Sequence, residues 1–241
     1  MDSAGPEILA VHIPKTAGSA FDAVLKSVYG EEQVERDDGP TRTDRSLYPD
    51  PDALRAHVRA AVEERTSWPR VITGHFPLSK YERFRRSAFT IVWLREPAAR
   101  LLSQYFFYRS PAPTPGMTAW ARAARAIPPE RIMEVDWPSN PITERLLRGY
   151  DADDIDFVGI QEHFAEDLAD LGRMLGWPPV EIPVHNRLTT AEYLEFHPSA
   201  ELLQKIRAAN EADVQLYKRA LQLRRDRIAR RAPPGRKTIR S

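Results

Sequence analysis

The stretch Ile8–Phe21, ILAVHIPKTAGSAF, decides how this chain is read. Ile8 to Ile13 is an apolar run broken only by His12. That pattern suits a strand buried on both faces, as in a parallel sheet. Pro14-Lys15-Thr16-Ala17-Gly18-Ser19 follows as a tight loop of small residues around one lysine. From Ala20 to Tyr29, Phe21, Val24, Leu25 and Val28 repeat at helical spacing, and Gly30 closes the segment. A strand that hands its loop to a helix N-terminus presents free backbone N–H groups where the helix dipole favours negative charge. Thr16 and Ser19 add hydroxyl donors, and Lys15 adds a point charge. A Walker A loop places its lysine after the second glycine, whereas Lys15 precedes Gly18. On these residues alone the loop is either an anion site or an ordinary strand-to-helix turn.

Two further strand ends bear on that choice. Ala88–Leu94, AFTIVWL, is apolar at nearly every position and is the strongest strand of the chain. Glu96-Pro97 ends it, and Pro97 suits the first position of a helix with Leu101, Leu102, Tyr105 and Tyr108 on one face. Arg95 then stands at the carboxyl end of a strand, where ligands gather in open α/β sheets. Its planar fork is suited to a phosphate, and Ser103, in the second turn of the helix, can offer a hydroxyl to the same anion. The alternatives are an Arg95–Glu96 ion pair and a plain helix-surface serine. A short strand at Val71–Thr73 runs into Gly74-His75-Phe76-Pro77. A histidine placed there is a candidate general base, against the alternative of a structural imidazole. His12 also sits at a strand end, within the approach to the first loop.

The remaining segments alternate in the same manner. Glu31–Asp50 is polar and rich in Asp, Gly and Pro, and is expected to be a loop. A helix is expected from Pro51 to about Arg65, with Leu54, Val58 and Val62 on one face. Ser79-Lys80-Tyr81-Glu82 has the form of a capping box that starts a short helix. Ser110–Gly116, SPAPTPG, is a Pro-rich loop that either shapes substrate access or merely connects. Helices are expected at Thr118–Ala126 and at Pro141–Arg148, the latter with Asn140 as N-cap. Asp156–Ile160 reads as a strand, Glu162–Leu175 as a helix, and Val180–Val184 as a last short strand. Pro198 to about Arg231 is helical, broken near Asn210. Strands alternating with amphipathic helices predict an α/β fold, a single domain with a central, mostly parallel sheet flanked by helices. That domain is expected over residues 1–231, with 232–241 as a basic, disordered tail.

Composition narrows the chemistry. The chain has 241 residues, 42% of them hydrophobic, enough for one large core. Lys and Arg number 35 against 34 Asp and Glu, so net charge gives no argument for nucleic acid or membrane as partner. Arg224–Ser241 holds eight basic residues and one Asp, the pattern of a solvated, frayed tail, the alternative being a functional basic patch. With no cysteine, disulfides, thiolate metal sites and thiol nucleophiles are excluded. The cluster Asp151, Asp153, Asp154, Asp156 lacks an EF-hand pattern, and no H-E-x-x-H occurs, so no metal is expected. No signal peptide is recognisable, and no apolar run reaches the ~18 residues of a membrane helix. A soluble, cytoplasmic protein is expected.

Taken together, these stretches resemble a known family. HIPKTAGSAF resembles the 5′-phosphosulfate-binding loop of the sulfotransferases that use 3′-phosphoadenosine 5′-phosphosulfate (PAPS). VWLREPAARLLSQYFFY resembles their 3′-phosphate-binding strand and helix, in which an arginine and a serine stand eight residues apart, as Arg95 and Ser103 do. FVGIQEHFAEDLADL and NEADVQLYKRA resemble later segments of the family, so the likeness spans about Ile8 to Ala220. The nearest branch is the carbohydrate one, in particular the uronosyl 2-O-sulfotransferases, here as a soluble member of bacterial type. His12 departs from that branch, which carries a basic residue before the lysine loop.

The resemblance implies a P-loop-NTPase-like sulfotransferase fold and PAPS as cofactor, with 3′-phosphoadenosine 5′-phosphate (PAP) as product and no metal. It assigns Pro14, Lys15, Thr16, Ala17, Gly18 and Ser19 to the 5′-phosphosulfate, Arg95 and Ser103 to the 3′-phosphate, Lys15 to the leaving phosphate, and His75 to the acceptor proton. The acceptor implied is a hydroxyl of a small molecule or carbohydrate. The competing readings are a P-loop-like nucleotide kinase and a non-catalytic module that binds nucleotide or sulfated glycan.

Overall fold

The chain is described from a computed structural model covering residues 5–39, 50–109, 119–182 and 191–230. Its centre is a five-stranded sheet: β1 (Ile8–Val11), β2 (Val34–Arg36), β3 (Val71–Gly74), β4 (Phe89–Leu94) and β5 (Phe157–Ile160). The strand order is β2-β3-β1-β4-β5, and every pairing is parallel. β1 lies between β3 and β4, with Leu9 opposite Ile72 on one side and Thr90 on the other. The chain therefore leaves β1 toward one edge of the sheet and later returns to its other side. This makes the carboxyl end of β1 the topological switch point, where such sheets bind ligands. The segments that follow β1, β3 and β4 begin with His12, His75 and Arg95, and all three open onto that crevice.

The helices follow from these runs. They are α1 (Gly18–Tyr29), α2 (Pro51–Glu63), α3 (Pro97–Arg109), α4 (Ala119–Ala126), α5 (Phe164–Leu175), α6 (Ala191–Glu195), α7 (Ala200–Ala209) and α8 (Glu211–Ala229). Alternate strand residues feed the two faces of the sheet. Leu9, Val11, Ile72, Val92 and Val158 pack with Phe76, Tyr81, Leu216 and Ala220 on one face. Ile8, Ala10, Val71, Ile91 and Phe157 pack with Phe21, Val24, Leu25, Leu168 and Leu171 of α1 and α5 on the other. A third cluster gathers Leu101, Leu102, Tyr105 and Phe106 of α3 against Ile132, Leu202 and Ile206. α3 is buried nearly all round, not along one stripe. No helix among the described residues is long and apolar enough to cross a membrane.

Several local expectations are corrected. Val34–Arg36, read as loop, is an edge strand paired with β3; three residues with one apolar side chain give no readable period. The capping box at Ser79 does not form. A 3-10 segment, Leu78–Phe84, starts after Pro77 without a side-chain cap, and the Glu82 carboxylate accepts from the Tyr150 hydroxyl instead. Asn140 does not cap a helix over 141–148. Its side chain accepts from the Asp213 N–H at 3.2 Å, and only a π-type turn, Ile142–Leu146, follows. Residues 180–182 are not a strand, and 183–184 lie outside the described residues, as do Ser110–Gly116, most of 40–50 and 232–241.

The basic C-terminus is also corrected in part. Arg224 and Arg227 belong to α8 and pack inward onto Asp167, a carboxylate with no solvent exposure. Asp167 accepts from Arg224 Nε at 2.8 Å, from Arg227 at 2.9 Å and from the Ile160 N–H at 2.8 Å. These arginines fasten α8 to α5 and β5 and do not form a solvated tail.

Candidate active site

The loop after β1 is bent by two residues in left-handed conformation, Lys15 at φ 71° and Ala17 at φ 70°. Neither is glycine, and such geometry in side-chain-bearing residues is strained and concentrates at functional sites. Alternation of this kind folds backbone N–H groups into an anion-binding concavity. Ala17 is the N-cap of α1 and supplies no side-chain cap, so the first N–H groups of the helix are left for an anion. Ser19 is exposed on that first turn. Thr16 is fully buried, and its hydroxyl donates to the Ile13 carbonyl at 2.9 Å. Thr16 therefore closes the turn with its hydroxyl, which is not free to donate to a ligand. Gly18 has a packing reason: a Cβ there would stand 1.8 Å from the His12 ring.

Lys15 Nζ rests 4.0 Å from the centre of the Phe107 ring, a cation–π contact from α3. Burial, and then the neighbouring Arg95 charge, lower its pKa to about 8. Arg95 comes from the end of β4 and donates weakly to the Lys15 carbonyl at 3.4 Å and to the Tyr193 hydroxyl at 3.5 Å. Glu96 does not pair with it. The Glu96 carboxylate accepts from the Ala99 N–H at the start of α3 and from Arg207 at 2.9 Å. Arg95 thus has no carboxylate partner among the described residues. Ser103, two turns into α3, is almost fully buried.

On the other side of the loop stands His75, just past β3. Its Nδ1 lies 2.6 Å from the His12 carbonyl oxygen. A carbonyl only accepts, so Nδ1 carries the proton and Nε2 of the neutral ring keeps its lone pair. Burial, with the adjacent His12, holds the His75 pKa below the ordinary imidazole value. The two imidazoles are 4.4 Å apart. His12 Nδ1 is 3.5 Å from the Asp22 carboxylate, at the outer limit of a hydrogen bond. Asp22 is fixed in turn by the Thr73 hydroxyl at 2.7 Å and by Arg36 at 2.6 Å. Against the upward push of burial, these donors keep the Asp22 carboxyl below its usual range.

A cavity of about 210 Å³ opens beside His75, walled by Arg100, Leu101, Gln104, Tyr108 and Trp137. The Tyr108 and Trp137 rings stack at 6.0 Å, giving it an aromatic wall. The structure therefore brings Pro14–Ser19, Arg95 and His75 to one crevice, with Ser103 on the helix that follows Arg95. Sequence reasoning placed His12 beside the loop without a role, and missed Asp22, Arg36 and Phe107 as supports and Arg100 as a cavity residue. None of these left a readable signal: Arg100 shares its helix with Ser103, Gln104 and Arg109, and periodicity does not tell which polar residue is buried.

The family model described as the sulfotransferase family matches residues 3–218. The chain belongs to the sulfotransferase family. A comparison with curated proteins gives no match. Solved structures similar to this sulfotransferase include a sulfotransferase from Alicyclobacillus acidocaldarius, 16% identical, covering 91% of this chain and 96% of that one at a TM-score of 0.45. Mouse sulfotransferase SULT7A1 complexed with PAP is 12% identical, covers 90% of each chain and has a TM-score of 0.42. Retinol dehydratase in complex with androsterone and inactive cofactor PAP is 11% identical, covers 95% of this chain and 82% of its own, and has a TM-score of 0.32. Membership rests on the family match and not on these distant likenesses.

Proposed function

We propose that this sulfotransferase moves the sulfuryl group of PAPS to a hydroxyl of a small-molecule or carbohydrate acceptor, with His75 as general base. The observation that carries the proposal is the 2.6 Å contact of His75 Nδ1 with the His12 carbonyl. It ties the candidate base to the backbone of the anion loop and leaves Nε2 as the acceptor of a proton at the cavity.

The residues fit the donor. The left-handed bends at Lys15 and Ala17 and the uncapped start of α1 suit a 5′-phosphosulfate, and an arginine without a carboxylate partner suits a 3′-phosphate. When bound, PAPS supplies the activated sulfuryl group. The backbone of 15–19 and Lys15 hold its 5′ end, and Arg95 and Ser103 hold the 3′-phosphate. His75 takes the acceptor proton on Nε2 as the acceptor oxygen bonds to sulfur. Lys15 stabilises the phosphate oxygen that keeps the electron pair of the broken S–O bond. This is in-line transfer by positioning and charge stabilisation, as in phosphoryl transfer. The hydrogen bond to the His12 carbonyl and the negative charge of Asp38 favour the imidazolium that results, against burial and the charges of His12 and Arg36.

A transfer assay with radiolabelled PAPS and a panel of hydroxylated acceptors tests the reading. Label transfer that depends on Lys15 and His75 is expected. PAP binding without transfer to any acceptor would favour a binding module, and stabilisation by Mg-ATP but not by PAP would favour a kinase.

A further inference from the structure

Arg100 is the unusual residue of the cavity. It lies on α3 between Arg95 and Ser103 and is only 6% exposed. Arginine is almost never that buried without a partner, because an unpaired buried cation loses its hydration without compensation. Yet among the described residues Arg100 makes no ion pair, and its Nε is buried with no hydrogen-bond partner. The carboxylate whose charge acts on it, Asp213, is already committed. Its carboxylate accepts from the Ile142 N–H at 3.2 Å, the Thr143 N–H at 2.9 Å and the Thr143 hydroxyl at 2.9 Å. The charged and titratable groups that act on Arg100 are Asp213, Arg95 and Tyr108, so one engaged carboxylate is set against another cation. Arg100 lines the same cavity as His75, and Arg145 adds a second positive charge to its lining.

We propose that this cavity takes an acceptor that carries an oxyanion group, seated on Arg100, with its apolar body against Leu101, Tyr108 and Trp137 and its hydroxyl at His75. The guanidinium fork matches a carboxylate or a tetrahedral phosphate-type oxygen pair. A cavity of about 150 Å³ admits a benzene ring, so the space here admits one ring with a short charged arm. Burial, which disfavours the free guanidinium ion, becomes an advantage once the anion is bound, because the pair is shielded from water. The inference rests on the sulfotransferase reading of the site and adds the class of acceptor.

The test is titration calorimetry on the full chain with PAP present. The probes are 3-(4-hydroxyphenyl)propanoate, its neutral primary amide and the matching phosphonate. The anionic probes are expected to bind at least ~10-fold more tightly than the amide, the range of a charge-assisted hydrogen bond. The rank of carboxylate against phosphonate tells a planar from a tetrahedral anion. Arg100→Gln should remove the preference over the amide, Arg100→Lys should restore part of it, and PAP affinity should not change. Arg145→Ala, an exposed site, should weaken both anionic probes and leave the amide unchanged, even if Arg100→Gln fails to fold. Equal affinity for anion and amide, or no binding of any probe, overturns the proposal. So does an Arg100→Gln variant that loses PAP affinity and keeps the preference, since Arg100 would then belong to the cofactor grip. Failure of the parent reading looks different: the anion preference persists, but no sulfuryl group is transferred from PAPS.

Discussion

On the proposed mechanism, His75 and Lys15 set opposite limits on the pH range in which the site works. His75 must be neutral to accept a proton, and burial beside His12 lowers its pKa, so activity should rise with pH through a midpoint below the ordinary imidazole value. Lys15 must be charged to hold the leaving phosphate. Burial and the Arg95 charge bring its pKa to about 8, so activity should fall again as pH passes that value. The pH profile of kcat/KM for PAPS, which reports the free enzyme, is therefore expected to be a bell. His75→Asn should lower turnover at least ~100-fold and abolish the acid limb, the lower end for a positioned base. Lys15→Arg should move the alkaline limb upward, because guanidinium stays charged. An unmoved acid limb in His75→Asn would count against the base. His75 and Arg95 were legible because strand ends mark themselves in sequence. The Thr16 hydroxyl was not, since the local turn decides whether it faces in or out. Arg100 was not either, since helical periodicity does not say which charged residue is buried.

At the scale of elements, the crevice depends on how closely three loops approach one another. Gly74 ends β3 at φ 144°, and a Cβ there would stand 1.9 Å from the Asp37 carbonyl oxygen. The obstacle is backbone, which cannot turn aside as a side chain can. Gly74→Ala should therefore destabilise the fold by at least ~1–3 kcal/mol, the usual cost of overpacking, and should displace His75, the next residue. Urea unfolding measures the first effect and turnover the second. A variant of wild-type stability and turnover would show that the 37–39 segment is not held against β3. Long apolar elements such as β4 and α5 were legible to within a residue or two. Elements fixed by distant partners were not. Glu82 is drawn to Tyr150 and Asn140 to Asp213, so the local capping patterns at both places gave way to tertiary contacts.

At the scale of the molecule, the alternation of strands and helices revealed the parallel α/β sheet, and the order of its strands places the β1 loop at the switch point. The role of α8 was hidden, because its arginines look like surface charge until Asp167 is seen beneath them. Asp167→Ala would leave Arg224 and Arg227 without their shared carboxylate, and removal of one partner from a buried charge cluster costs about 3–5 kcal/mol. A urea midpoint unchanged from wild type would show that α8 is held by its apolar contacts alone. The central claim is that β1, β4 and their loops together grip a nucleotide with phosphate at both its 3′ and 5′ positions. Titration calorimetry of PAP against ADP, which lacks the 3′-phosphate, tests it most directly. PAP is expected to bind at least ~10-fold more tightly than ADP, the worth of a charged hydrogen-bonded contact, with the difference lost in Arg95→Ala. ADP binding as tightly as PAP, or a preference that survives Arg95→Ala, would contradict it.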